Sequence, residues 1–493
     1  VHTTLAELVN GIPGAILVTP DLSDAGRIEI ARIAPTAEAS APGAIFVCVR
    51  GEAIDGHDRA PEAVARGVSA LIVEHQLPCD LPQIVVPNAR RAIALAASLL
   101  EGNPSQSVRT VGVTGTNGKT TCAYLLQAVL GADGASAGLI STVEIIVGGH
   151  SEPATHTTPD PVSLQHLLGR MRGAGNRWCA MEVSSHALVQ ERVAGISFAA
   201  ALFTNLTQDH LDYHHDMEEY FAAKRRLFVA SADGALAPPS AANIDDPWGA
   251  RLVSELGILG YGHAEGADVR VHESRDTGAG TWIRLATPRG VVELESQLRG
   301  EFNVSNIAGV IAVGEILGLA HSQTTEAIAA VTGVPGRLEP ITAGQSFAVF
   351  VDYAHTPDAL ANVIRTVRRL VSTHRVIVVF GCGGDRDMGK RPLMGNIAAH
   401  MADVVIVTSD NPRSEDADII IREILAGVDD ASATVIVQPD RRRAIADAIQ
   451  CARSGDVVLI AGKGHETGQE IAGQIYPFDD RDVARTMLME RAV

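Results

Sequence analysis

The run Val111-Gly112-Val113-Thr114-Gly115-Thr116-Asn117-Gly118-Lys119-Thr120-Thr121 constrains this chain more than any other stretch. An apolar strand-like lead, Thr110 to Val113, enters a glycine-containing loop that ends in Gly-Lys-Thr, and a helical run from Cys122 to Leu130 follows. Such a loop bares backbone N–H groups at a helix N-terminus, which favours a bound phosphate. In that arrangement Lys119 meets the β- and γ-phosphates and Thr120 ligates Mg²⁺. The strict Walker pattern has glycine where Val113 stands, so Gly112 and Gly115 mark a variant P-loop. A plain glycine-rich turn does not account for strand, loop, Lys-Thr and helix in that order. Nucleotide binding is therefore the first expectation.

Length and charge narrow the class. With 493 residues, about three domains of ~150 residues are expected. A net charge of −18 disfavours a nucleic-acid or anionic-membrane surface, so an anionic substrate requires a local basic pocket. The six cysteines are scattered without metal-ligand spacing and read as reduced cytoplasmic thiols. No basic-then-apolar leader opens the chain, and no apolar run is long enough to span a bilayer. A cytoplasmic protein without membrane insertion is expected.

Pattern along the chain divides it at about 106 and 336. In 1–106, Ile45–Val49 and Ala70–Val73 read as strands, Pro61–Arg66 as a helix start and Asn88–Leu100 as a helix; Arg50–Asp58 is a polar loop and Gly102-Asn103-Pro104-Ser105 a linker. In 107–336, Trp178–Val183 and Phe198–Phe203 read as strands, Val269–Leu298 as short antiparallel strands and Asn303–Leu319 as an apolar helix. In 337–493 one unit recurs: Phe347–Val351, Val376–Phe380, Val404–Val407 and Val457–Ile460 are apolar strands, each ending in a polar loop before a helix. This is the pattern of a doubly wound parallel sheet, whose ligands sit beyond the carboxyl ends of the strands. The fold class is therefore α/β in three domains: a small N-terminal α/β unit, a central P-loop domain with a parallel sheet, and a C-terminal Rossmann-like doubly wound domain.

Chemistry-bearing residues fall at these strand ends. Glu182 and His210 each close a strand of the P-loop domain, where they suit Mg²⁺ beside the phosphates. Thr157, Thr158, Ser184, Gln190 and Arg192 suit a phosphorylated or carboxylated substrate, or equally helix caps and turns. Lys224, in Tyr220–Phe228, reads on spacing alone as a solvated helix lysine. Arg337 in Pro335-Gly336-Arg337 suits a phosphate reached on domain closure, or an inter-domain salt bridge. Asp410-Asn411-Pro412-Arg413, with Arg386 and Glu466 in neighbouring loops, complements a zwitterion through a guanidinium fork at one end and a carboxylate at the other. It reads equally as a capped surface turn.

Taken together, Thr114–Thr121, Glu182-Val183-Ser184-Ser185-His186, Asn205–Asp212, Pro335-Gly336-Arg337 and Asp352-Tyr353-Ala354-His355-Thr356-Pro357 stand in the order found in Mur ligases and their folylpolyglutamate synthetase relatives. The resemblance covers nearly the whole chain, and Asp410–Arg413 resembles the signature of members that add meso-diaminopimelate as the third residue of the cell-wall peptide. It implies a UDP-substrate domain at 1–106, an ATP domain at 107–336 and an amino-acid domain at 337–493. It also implies ATP-dependent ligation of meso-2,6-diaminopimelate to UDP-N-acetylmuramoyl-L-alanyl-D-glutamate through an acyl phosphate, by a monomer. By position it implies ATP contacts from Thr114, Gly115, Thr116, Asn117, Gly118, Lys119, Thr120, Thr121, Asn303, Arg337, Asp352 and His355. Thr120, Glu182 and His210 are implied as Mg²⁺ ligands, and Lys224 as a carbamylated lysine that joins them. Thr157, Thr158, Ser184, Gln190, Arg192 and Lys224 are implied around the UDP-muramoyl dipeptide, and Arg386, Asp410, Asn411, Pro412, Arg413, Gly462 and Glu466 around diaminopimelate. The chain departs from the family before Pro42-Gly43, where Ala34–Ala41 replaces the usual Asp-Ser-Arg of the uridine end. Rival expectations are a lysine-adding form, a glutamate-adding folate relative, and a nucleotide switch without ligation.

Overall fold

The computed structural model describes residues 3–19, 25–51, 54–132, 134, 136–230, 236–371, 374–429 and 432–491. Residues 52 and 53 of the polar loop expected at Arg50–Asp58 lie outside them. The chain forms two units. One comprises Val1–Thr114, Leu126–Leu202 and Ala223–Ser240; the other comprises Gly115–Leu125, Phe203–Ala222 and Ala241–Val493.

The first unit contains a five-stranded sheet in the order Ile16–Val18, Gln83–Val85, Ala70–Val73, Ala44–Val47 and Arg32–Ala34. Alternate residues of its strands serve two cores, as the strand period of two requires. Ile45, Val47, Ala70 and Ile72 pack with Ala92, Ile93 and Ala96 of the helix Ala89–Leu100. Phe46, Leu71 and Val73 pack with Ala60 and Ala63 on the other face. Asn88 caps the long helix, its side chain accepting from the Arg91 amide. The same unit holds strands in the order His150–Pro153, Glu144–Val147, Ala137–Ile140, Trp178–Glu182 and Arg109–Thr114, followed by residues 198–202 of the strand Phe198–Phe203. Trp178–Glu182 is parallel to both Arg109–Thr114 and Ala137–Ile140. The hairpin strands at 144–153 were not expected from sequence.

In the second unit, Val269–Asp276, Thr281–Thr287 and Gly290–Ser296 form the expected antiparallel run. A six-stranded sheet follows, ordered Glu339–Pro340, Ala348–Asp352, Val457–Ala461, Val376–Phe380, Val404–Val407 and Thr434–Val437. Its pairings are parallel except at the Glu339–Pro340 edge. Val376, Val378 and Phe380 face helices Pro357–Val371, Lys390–Met401 and Ala417–Leu425. Ile377 and Val379 face Arg441–Cys451 and Asp480–Arg491. Burial on both faces explains the uninterrupted Val/Ile runs of these strands. Asp352 pairs with Ala461, and Phe380 with Val407, so four strand ends lie in register along one edge. The α/β expectation, with the C-terminal sheet doubly wound, is met.

Candidate active site

In the first unit, strand register places Glu182 opposite Val113, two residues before Gly115. Glu182 is fully buried. Its Oε1 accepts from the Thr142 amide at 2.8 Å, and its Oε2 lies 3.2 Å from Thr142 Oγ1. Thr142 Oγ1 is also 3.0 Å from Thr157 Oγ1. Thr158 Oγ1 donates to the Glu182 carbonyl at 2.9 Å and accepts from the Ser184 amide at 3.0 Å. Ser184 caps the helix Ser185–Val189. Arg192 donates to Gln190 Oε1 through Nε at 3.0 Å and through a terminal nitrogen at 2.7 Å, and to the Thr158 carbonyl at 2.8 Å. Thr157, Thr158, Ser184, Gln190 and Arg192 thus gather at the Glu182 strand end, and the capping reading holds for Ser184. Thr142 joins them although sequence reading missed it; it stands at the end of an apolar strand, as Glu182 does. The amide and hydroxyl around the Glu182 carboxylate are neutral donors, so its charge suits a cation such as Mg²⁺.

Lys224 departs from its expectation as a solvated lysine. It lies on the helix Met217–Arg225 with 1 % exposure. An ammonium so buried requires compensating partners around it.

In the second unit the nucleotide loop is braced from behind. Thr116 N donates to the Asn205 carbonyl and Asn117 N to Asn205 Oδ1, each at 2.9 Å. Thr204 Oγ1 donates to the Asn117 carbonyl at 2.6 Å. Gly118 has φ +86°, and a Cβ there would stand 2.3 Å from Asn306 Oδ1, so both conformation and space demand glycine. Lys119 Nζ donates to the carbonyls of Gly115 and Thr116 at 3.0 and 2.8 Å, curled over the concavity of its own loop. Thr120 and Thr121 open the helix Lys119–Leu130. Asn303 has both amide ends engaged, donating to the Arg299 carbonyl and accepting from Asn306 Nδ2.

The Pro335–Arg337 loop reaches this region. Gly336 (φ +66°) abuts His465, whose amide nitrogen would lie 2.2 Å from an added Cβ. Arg337 donates to Thr120 Oγ1 at 2.8 Å and stacks over Tyr353 at 4.5 Å. Asn117 Nδ2 donates to Asp358 Oδ2 at 3.1 Å. Asp352 accepts from the Leu338 and Ala354 amides at 2.6 and 2.8 Å; burial nevertheless raises its carboxyl above the ordinary range, against the pull of Arg337. His355 Nδ1 lies 2.8 Å from the Tyr353 carbonyl. A carbonyl only accepts, so Nδ1 carries the proton and Nε2 is the acceptor. Burial and the nearby Lys390 lower His355 to about 4.

Asp209, within the Asn205–Asp212 run, is a further centre that its spacing in the sequence does not mark. It is buried, with Oδ2 3.5 Å from His210 Nε2 and 3.9 Å from His355 Nε2, and Oδ1 4.0 Å from Lys390 Nζ. Burial alone would raise this carboxyl; His210, His355, Lys390 and Lys119 outweigh it and hold the group below the usual range. His210 adopts φ +56°, a left-handed conformation uncommon for a residue other than glycine.

At the C-terminal strand ends, the Gly381–Asp387 and Ser409–Arg413 loops are zipped together. Gly384 N donates to the Asn411 carbonyl at 2.9 Å, and an Arg413 terminal nitrogen donates to the Gly384 carbonyl at 2.6 Å. Arg413 has φ +53°, held by its amide donating to the Glu470 carbonyl at 3.0 Å, and its Nε lies 3.4 Å from Glu470 Oε2. Asn411 Nδ2 donates to Glu466 Oε2 at 2.8 Å. Gly462 N donates to the Asp352 carbonyl at 3.1 Å, which ties this pocket to the neighbouring strand end. Pro412 fixes the turn, its carbonyl accepting from Glu415 N. Among the described residues Asp410 Oδ2 is buried with no hydrogen-bond partner, which suits a cationic group. Arg386, by contrast, is exposed and donates to the Asp385 carbonyl.

Comparison with known proteins agrees with this arrangement. Residues 36–104 match the Mur ligase family catalytic domain, 113–314 the Mur ligase middle domain, and 336–464 the Mur ligase glutamate ligase domain. The chain belongs to the Mur ligase family and is an ATP-dependent ligase. The UDP-N-acetylmuramoyl-L-alanyl-D-glutamate–2,6-diaminopimelate ligase of Geobacillus kaustophilus is 45% identical over 94% of this chain and 96% of its own. The protein of the same name from Solibacter usitatus is 43% identical over 98% of both chains. A solved structure of a ligase with that name superposes with a TM-score of 0.71, at 31% identity over the whole of both chains. MurF ligase from Thermotoga maritima in complex with ADP shares the fold, with a TM-score of 0.64 at 20% identity over 93% of this chain and 98% of that one.

Proposed function

We propose that this chain joins meso-2,6-diaminopimelate to the D-glutamate carboxylate of UDP-N-acetylmuramoyl-L-alanyl-D-glutamate at the expense of ATP, in the synthesis of peptidoglycan precursors. The observation that carries the reading is the strand-end pocket. Arg413 supplies a fork for a second carboxylate, while Asp410 and Glu466 supply anions for ammonium groups, in a chain 41–46% identical to ligases named for this reaction.

A carboxylate is a poor electrophile, so the γ-phosphoryl group of ATP passes to it, giving an acyl phosphate and ADP. The amine of diaminopimelate attacks the acyl carbon, and the tetrahedral intermediate expels phosphate. Two anions must meet in the first step. Lys119 and the amides of its loop neutralise that repulsion and stabilise the transferring group. Bound Mg²⁺ supplies further charge stabilisation; Thr120, Glu182, His210 and a carbamylated Lys224 are the residues we assign to hold it. Arg337 leaves Thr120 to meet the phosphates, and His355 Nε2 remains an uncharged acceptor there. Thr157, Thr158, Ser184, Gln190 and Arg192 hold the dipeptide substrate, within domains bounded near residues 106 and 336. We take the enzyme to act as a cytoplasmic monomer; among the described residues no helix is long and apolar enough to cross a membrane.

The test is ADP release with the UDP-muramoyl dipeptide, Mg²⁺ and ATP against meso-diaminopimelate, L-lysine, D-glutamate and no amino acid. Release only with diaminopimelate, with a product of the tripeptide mass, is expected. Release with lysine would retain the ligase and overturn the pocket, and release independent of any amino acid would overturn the ligation.

A further inference from the structure

Lys463 carries no role in the reading above, although it lies inside the amino-acid pocket. It is fully buried. Its ammonium donates to Asn411 Oδ1 at 3.1 Å, to Glu466 Oε2 at 2.8 Å and to the Gly468 carbonyl at 2.6 Å. An ammonium has three N–H donors, and these three acceptors use all of them. Asn411 completes a closed ring by donating from Nδ2 to the same Glu466 Oε2, while its Oδ1 also accepts from the Glu470 amide at 3.0 Å.

Two consequences follow. The lysine fixes which way the Asn411 amide points: an oxygen bound by two donors leaves the NH₂ end for Glu466. It also anchors Oε2 of a carboxylate that is 30 % exposed. A carboxylate and an amide on loops 55 residues apart are otherwise free to rotate, and ordering them at the moment of binding would cost affinity.

We infer that Lys463 is a positioning residue for the amino-acid substrate, acting through Asn411 and Glu466 and not by touching substrate itself. The inference rests on the assignment of this pocket to the diaminopimelate ammonium and carboxylate groups. It places Lys463 outside phosphoryl transfer, because its three donors are spent on the pocket and none on the nucleotide loop.

The experiment compares the full-length enzyme with Lys463→Met, Glu466→Gln and the double variant, each checked for a native melting transition. For Lys463→Met the KM for diaminopimelate should rise ~10- to 100-fold, as for other residues that orient a binding group. The KM values for ATP and the UDP-muramoyl dipeptide, and label exchange between ADP and ATP without amino acid, should stay within about twofold of the parent, since the variant leaves transition-state contacts intact. The double variant should bind diaminopimelate no worse than the weaker single variant, because residues that act as a unit are non-additive. Losses that multiply, or a fall in label exchange equal to the fall in ligation, would overturn the inference. If Lys463→Met does not fold, Asn411→Ala beside Glu466→Gln supplies the same cycle around the lysine, and additive losses there would overturn it too. A parent enzyme that turns over no diaminopimelate would instead sink the proposed function, which the wild-type arm reads separately.

Discussion

Two lysines of the same unit are held in opposite ways. Lys119 rests on backbone carbonyls three and four residues away, so its placement is a property of one short loop. Lys463 rests on Asn411, 52 residues away, as well as on Glu466 and Gly468 in its own loop. The Lys119 ammonium is thus placed by consecutive backbone, whereas Lys463 is placed in part by a loop that only the sheet brings near. A particular diamino acid demands side chains aimed from several directions.

The largest effect should come from Lys119→Ala. On the proposed mechanism its charge acts on the transferring group, and loss of one such contact typically costs ~10²–10³ in kcat. If ADP release with saturating diaminopimelate fell by less than tenfold, the loop would be a passive binder and the contrast would collapse. Lys224→Ala comes next, with most activity lost and part of it restored by a small carboxylate such as formate. Loss of a group that supports a metal site costs ~10–100-fold, and full activity without additive would rule out the carbamate. Asp480→Asn probes the assembled side alone. Asp480 and Arg441 form a fully buried pair, and Arg441 also donates to the Ser409 and Ala461 carbonyls, the ends of two pocket strands. Breaking such a pair costs about 3–5 kcal/mol, read as a lower denaturant midpoint. Diaminopimelate affinity should weaken with it while ATP affinity holds; equal loss of both would mean the two sides are not separable.

Arg413→Ala should act on discrimination more than on stability. On the proposed pocket, lysine offers the partly buried guanidinium no carboxylate beyond Glu470, and a polar site left short of a partner can reject an analogue by ~10⁴. The variant should narrow that preference by on the order of 10², measured as the ratio of kcat/KM values for diaminopimelate and L-lysine. An unchanged ratio would remove Arg413 from the pocket.

The same contrast explains what could be read from the sequence. Thr114–Thr121 was legible because its glycines and its Gly-Lys-Thr stand together in the sequence, although the groups that brace it, Asn205, Asp358 and Arg337, do not. The strand ends at Asp352, Phe380, Val407 and Ala461 were legible because apolar runs buried on both faces stop abruptly there. Asp209, Thr142 and Lys463 were not, since each depends also on residues distant in sequence and none stands out by spacing. Lys224 was misread as solvated because helical periodicity does not reveal that its helix packs on that side. The hairpin Gly468–Pro477, which holds Arg413 in its left-handed backbone, carries no strong turn signal in its strands and escaped notice.

The smallest effect tests where the two sides meet. His355 has a folded pKa lowered to about 4, against ~6.5 in an unfolded chain. Between these values the unfolded state binds the proton and the folded state does not, so stability rises with pH. The contribution is complete above about pH 6.5 and is lost as pH falls through about 4. The ring is 38 % exposed, so water screens part of the shift and the slope is shallow. Asp209 pulls the other way: its carboxyl, held low by its cationic neighbours, keeps its charge across the same window. His355→Gln should therefore flatten the fall in melting temperature between about pH 6.5 and 4 while leaving the profile above pH 7 in place. A variant whose profile tracks the parent throughout would show that His355 is open to water in the folded state, and that the acidic and basic groups around Asp209 do not form one buried cluster.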